Sequence, residues 1–234
     1  ASVADLQAKP VADLLDVAFK GDGTAEDLSP MKNKVSLIGT SSSTYYNNTY
    51  KRYVASFNNP WAGTASGYYR VDFENNSSFR AALANGHTLE AVFMASYEPP
   101  IANSEAKPFA AHQGGGTGFL ISTTSGNRKN EITFLPNVTT NGKSNWRWAT
   151  SGVVPQPQTY YHVVGVWDKD AKKAYIYVNG ELKNTVAADG NFRFAENGSN
   201  WFCLGGDASP SGGQNGWCGD IVMARVYDKP LLCK

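Results

Sequence analysis

What most restricts this chain is its punctuation. From Tyr68 onward, short apolar or alternating runs follow one another, and the gaps between them are filled by Gly, Asn, Ser, Pro and Asp. Tyr68 to Glu74 alternates cleanly, with Arg70, Asp72 and Glu74 on one face and Val71 and Phe73 on the other. Runs around Thr88 to Tyr97, Phe109 to Ala111, Phe119 to Thr123, Glu131 to Leu135 and Trp146 to Ala149 read as further strands. So do those around Tyr160 to Trp167, Ala174 to Val178, Glu181 to Val186, Trp201 to Leu204 and Ile221 to Tyr227. Asn179-Gly180, between two such runs, is the signature of a type I′ hairpin turn. Earlier in the chain, Lys34 to Ile38 reads as a short strand and the Ser/Asn-rich Ser41 to Thr49 as loop. One helix is expected at Ser78 to Leu83, capped by Ser77 or Ser78 and ended by Gly86. Phe79 and Leu83, four apart, would form its buried stripe.

This pattern predicts an all-β antiparallel sandwich. No βαβ alternation is present, which excludes a doubly wound sheet. No fixed-period repeat suggests a propeller or solenoid. No linker divides the 234 residues, so 1–234 reads as one domain. Lys and Arg (21) nearly cancel Asp and Glu (20), leaving a net charge of +1, which argues against nucleic acid as a partner. The longest uncharged run, Trp148 to Trp167, contains Pro155 and Pro157 and is no membrane helix. Among three cysteines, Cys203 and Cys218 flank a Gly/Ser/Pro-rich stretch and are candidates for a disulfide, with two buried thiols as the alternative.

Several segments together resemble a known family. Tyr160-Tyr161-His162-Val163-Val164-Gly165-Val166-Trp167-Asp168, running on to Tyr175-Ile176-Tyr177-Val178-Asn179-Gly180, is similar to the "WHHVA…YVNG" hairpin of laminin G-like domains in the concanavalin A-like lectin/glucanase superfamily. Phe202-Cys203-Leu204-Gly205-Gly206-Asp207 resembles that family's "lyIGg" strand. Gly219-Asp220-Ile221 with Ala224-Arg225-Val226-Tyr227 resembles its closing strand. Val17-Ala18-Phe19 with Thr24 to Ser29, and Thr88 to Phe93, match the opening elements more loosely. The resemblance implies a jelly roll of two curved sheets with one short helix. It also implies an extracellular, cell-surface or periplasmic setting and a binding module for sugar or protein, sometimes part of a longer protein. Calcium-binding relatives carry an acid after the Ile of the closing strand. Here that residue is Val222, with Asp220 one step off. Calcium remains a candidate cofactor only through the loop acids Asp22, Asp27, Asp207 and Asp220.

Hydrolysis of a glycosidic bond needs two carboxylates facing it, about 5 Å apart for retention. The glucanase run Glu-x-Asp-x-x-Glu is absent, and Asp72-Phe73-Glu74, beside Arg70, reads as a solvated strand face. No catalytic residue is assigned, although a hydrolase or lyase on the same fold is the alternative. Binding fits the residues better. Trp146 and Trp148, two apart on a strand, share one face beside Asn145 and form either core or a stacking platform for sugar rings. Trp217 lies in a Gly/Asn/Gln-rich loop and Trp61 follows Asn58-Asn59-Pro60, with Tyr68 close after it; exposure is expected for these. His112 precedes the glycine run Gly114 to Gly118 and is a further candidate contact, whereas Trp167 and Trp201 are assigned to the core and His162 to structure. The sequence thus predicts a non-catalytic extracellular binding module for a glycan or polysaccharide. Protein adhesion, or an accessory role beside an enzyme, is the remaining reading.

Overall fold

Asn179 and Gly180 both take left-handed backbone angles, φ 51° and 81°. A type I′ turn requires this, and Asn and Gly adopt it with least strain. The turn pairs Lys173–Val178 with Glu181–Ala187, as expected. The computed structural model describes residues 11–99, 104–122 and 130–231. Within them every strand pairing is antiparallel.

The architecture is a jelly-roll sandwich. One sheet has nine strands and runs Glu181–Ala187, Lys173–Val178, Tyr160–Asp168, His87–Ala95, Cys218–Tyr227, Leu15–Phe19, Ala25–Asp27. Arg52–Asn58 also pairs with Cys218–Tyr227 and carries Ser42–Asn47 at its other edge. The facing sheet has seven strands: Ala149–Thr150, Glu131–Phe134, Gly116–Ser122, Glu105–His112, Trp201–Leu204, Gly67–Asp72, Ser36–Gly39. A third, three-stranded sheet joins Lys143–Trp146, Asn137–Thr140 and Asn191–Phe192. Alternate residues of the two large sheets, among them Leu89, Ala91, Phe93, Phe109, Phe119, Ile132, Phe134, Phe202 and Leu204, fill one core. Gly165 faces Phe134 across the core: a Cβ there would lie 2.3 Å from the ring, so the position admits no side chain.

The helix forms at Ser77–Ala84 and buries Phe79 and Leu83. Phe79 stacks on Phe73 at 4.9 Å. Its cap is Asn76, not Ser77 or Ser78: the Asn76 side-chain oxygen accepts from the Phe79 N–H at 3.1 Å. Two other expectations need correction. Ser41 to Thr49 is not loop, because Ser42–Asn47 pairs residue for residue with Arg52–Asn58. An edge strand with few buried side chains carries no apolar alternation to betray it. Trp146 to Ala149 is not one strand but two fragments, broken at Arg147 and Trp148 and assigned to different sheets.

Of the two readings of Cys203 and Cys218, the structure keeps the buried thiols and not the disulfide. Cys203 and Cys218 are free, buried thiols. Cys203 lies in the seven-stranded sheet and packs with Tyr68, Trp201 and Ala208 outside the main core. Cys218 opens a strand of the other sheet beside Asn58. Burial pushes both thiols up from their usual range, Cys203 the more strongly.

Buried imidazoles make stability pH-dependent, and His87 is one of them. His87 packs against Phe134, Trp167 and Phe192. Its Nδ1 donates to the Leu83 carbonyl at 2.9 Å, so its Nε2 accepts from the Thr117 hydroxyl at 2.9 Å. Burial depresses its pKa from 6.5 to about 4. Between those values the unfolded chain binds the proton and the folded one does not. Stability therefore falls as pH drops through that window, by a total of order 3 kcal/mol. Denaturant unfolding between about pH 7 and about pH 4 measures this slope, and His87→Gln should reduce it, leaving the share of His112, a second buried imidazole held below its ordinary value. An equal slope in that variant would place the titration elsewhere.

Candidate ligand-binding cleft

The strand Glu105–His112 contains Pro108, which has no N–H to give its neighbour. Its pairing with Gly116–Ser122 slips between Ala106 and Phe109. At the slip Lys107 turns away from the ladder, and its own N–H reaches the carbonyl of Asn215 at 3.0 Å. Its side chain is 6% exposed, an unusual place for an ammonium group. Three acceptors explain it: Asp207 Oδ2 at 2.9 Å, His112 Nδ1 at 3.1 Å and Glu105 Oε2 at 3.4 Å. They match the three protons of the ammonium. Burial alone would lower the Lys107 pKa, but the adjoining Asp207 and Glu105 carboxylates outweigh it and hold the group above its usual range. Burial pulls Asp207 upward, yet only N–H donors meet its oxygens: Lys107, and the backbones of His112 and Ala208, each at 2.8 Å. Asp207 is therefore a carboxylate and Lys107 an ammonium.

His112 is held neutral. Its Nε2 donates to the Leu135 carbonyl at 2.8 Å, which leaves Nδ1 to accept from Lys107. Burial first, and then the Lys107 charge, press its pKa well below the ordinary value. Trp146 and the imidazole form a T-shaped pair at 83°, with centroids 5.4 Å apart.

Over this floor opens a cleft of roughly 260 Å³. The buried Lys107, His112 and Asp207 lie at its base, Glu105 sits at its edge, Gln113, Gln214 and Asn215 supply amides, and Trp146 and Trp148 form a wall. Both indoles are half-buried. The strand ends at Trp146, yet both rings reach the same opening. The structure thus brings Trp146, Trp148 and His112 together. It does not bring Asn145, which lines no part of the cleft and donates to the Lys143 carbonyl instead.

Three expected contacts are elsewhere. Trp217 is 0% exposed and packs edge-on against Phe93 and Trp61, so it is core, not a loop platform. Its backbone N–H bonds the Gly205 carbonyl, which pulls the end of the glycine-rich loop inward. Trp61 is half-buried and donates its indole N–H to the Glu98 carbonyl at 2.9 Å. Tyr68 is buried and stacks on Trp201 at 5.7 Å. Asp207 and Lys107 are the residues sequence reasoning missed as cleft floor. The proline inside a strand, Pro108, was the readable sign of a bulge.

The four loop acids weighed for calcium do not converge. Asp22 accepts from Thr24, Asp27 from Asp16, Ser29 and Asn33, Asp207 from Lys107, and Asp220 from the hydroxyls of Tyr45 and Tyr160. Among the described residues no group of three or more His, Cys, Asp or Glu is disposed to hold a metal ion.

A family model for the concanavalin A-like lectin/glucanase superfamily, of the laminin G type, matches residues 98–232, more than half of the chain. The chain belongs to this family. No curated protein matches it. Solved structures agree on the fold. Domain 4 of AbnA, an extracellular arabinanase of Geobacillus stearothermophilus in complex with arabinotriose, is 12% identical with a TM-score of 0.64, over 95% of this chain and 96% of that one. The binding domain of botulinum neurotoxin DC in complex with SialylT is 13% identical with a TM-score of 0.63. The same toxin domain in complex with rat synaptotagmin II is 12% identical with a TM-score of 0.64. This chain, matched over 94% of its length, spans about half of those two, 49% in each.

The different placements of the tryptophans predict different costs. Trp217→Ala should destabilise the protein by about 3–5 kcal/mol, since it empties a fully enclosed indole site. Trp148→Ala should cost less than about 1.5 kcal/mol, because its ring is already partly exposed. Thermal unfolding of the two variants separates the assignments, and equal losses would contradict them.

Proposed function

We propose that the protein is a non-catalytic, extracellular carbohydrate-binding module and that its sugar site is the cleft walled by Trp146 and Trp148. The observation that carries this reading is the pairing of two half-buried indoles with carboxylate and amide groups across one opening. The apolar C–H face of a sugar ring stacks on an indole, while its hydroxyls bond the amides and Glu105 at the edge. The floor is rigid because each polar group in it is held by another, so little ordering is needed on binding. Related folds point the same way: one has been seen with arabinotriose and another with SialylT. The extracellular setting rests on the first of these, which is part of an extracellular enzyme. None of the described helices is long and apolar enough to cross a membrane.

Hydrolysis is the weaker reading. Asp207 is saturated by donors and Glu105 is paired with Lys107, so neither is poised to give a proton to a leaving group.

A glycan array probed with the labelled protein tests the proposal. Binding to a related set of glycans is expected, and Trp146→Ala or Trp148→Ala should weaken it at least about tenfold while the fold survives. EDTA should leave binding unchanged, because the loop carboxylates are engaged by protein donors. Binding that survives both tryptophan changes would move the site elsewhere. Release of reducing sugar would restore the hydrolase, and a blank array would favour a protein contact.

A further inference from the structure

The cleft has a charge character that its chemistry makes specific. Its lining residues carry one cation, Lys107, and two anions, Glu105 and Asp207, a net charge of −1. The cation is not free to meet a ligand. Its three protons are committed to Asp207, His112 and Glu105, and its side chain is 6% exposed. His112 offers no proton either, since its one N–H is given to Leu135. The nearby guanidinium of Arg193 is bound to Gly114 and Glu196. What remains at the opening is a side chain rich in acceptors, Glu105, with 24% of its surface exposed, beside the amides of Gln113, Gln214 and Asn215.

We infer that the cleft selects uncharged sugars and rejects those carrying a carboxylate, such as sialic acids and uronates. This rests on the reading of the cleft as the sugar site. A neutral ring brings hydroxyls, which donate to Glu105 and to the amide oxygens and accept from the amide N–H groups. A sugar carboxylate brings only acceptors and a negative charge. It finds no uncommitted cation among the lining residues, and it must lose water facing a lining that is net negative. A like charge within about 6 Å of that excess, at the moderate dielectric of an open cleft, weakens binding on the order of tenfold or more.

The test compares matched pairs on the full chain by calorimetry or ligand-observed NMR. Arabinotriose, cellotriose and galactotriose stand as neutral probes. Trigalacturonate, and sialyllactose beside lactose, supply the acids. The expected result is a neutral-to-acidic preference of about tenfold or more that Trp148→Ala abolishes together with binding. Glu105→Gln removes one charge and releases one Lys107 proton, so it should narrow that preference; raising the ionic strength should narrow it too. Acidic sugars that bind as well as their neutral partners, still dependent on Trp148, would overturn the charge selection and leave the sugar site standing. If none of the probes binds, the sugar site falls and the selection falls with it.

Discussion

The buried ion pair between Lys107 and Asp207 is the contact on which the cleft of this protein depends. The two residues come from different parts of the chain, one at a strand bulge and the other in the loop that leads back to the closing strand. Isolated, each charge would be costly in so dry a place. Together, with His112, Glu105 and two backbone N–H groups, they satisfy one another and fix the loop against the sheet. A buried pair of this kind contributes little net stability compared with an apolar pair of equal shape. Its value lies in geometry, since only one arrangement satisfies all the donors.

The cleft follows from that geometry and from two irregularities in otherwise regular sheets. Pro108 prevents a continuous ladder and turns Lys107 out of register. The break at Arg147 and Trp148 ends one small strand and lets the chain change sheets. Together they set a tryptophan wall across from a polar floor. The regular parts of the sandwich behave otherwise: Gly165 against Phe134, and Trp217 between Phe93 and Trp61, are packing solutions that leave no room for a ligand. In a concanavalin A-like domain the sandwich is the scaffold, and specificity resides in what its loops and bulges place on it.

Much of the fold was legible in the residues. The alternation of Tyr68 to Glu74, the Asn179-Gly180 turn and the Phe79–Leu83 pair each imposed a local geometry that the structure keeps. Where reading failed, the missing information was tertiary. Ser42–Asn47 looks like loop because its partner, not its composition, makes it a strand. Trp217 looks exposed because its neighbours are small and polar, yet a backbone bond to Gly205 draws it into the core. Cys203 and Cys218 are close in sequence and belong to facing sheets.

The sequence by itself determined an all-β antiparallel sandwich with one short helix, and it marked Trp146, Trp148 and His112 as candidate contacts. These are consequences of periodicity, turn chemistry and residue type, which act over a few neighbours. Only the tertiary structure decided which aromatics share an opening and which are core, that Lys107 and Asp207 meet beneath them, and that the lining of that opening is net negative. Those outcomes depend on contacts between residues as much as a hundred positions apart. No local pattern encodes them, because an ion pair or a burial is settled by whatever the rest of the fold brings alongside.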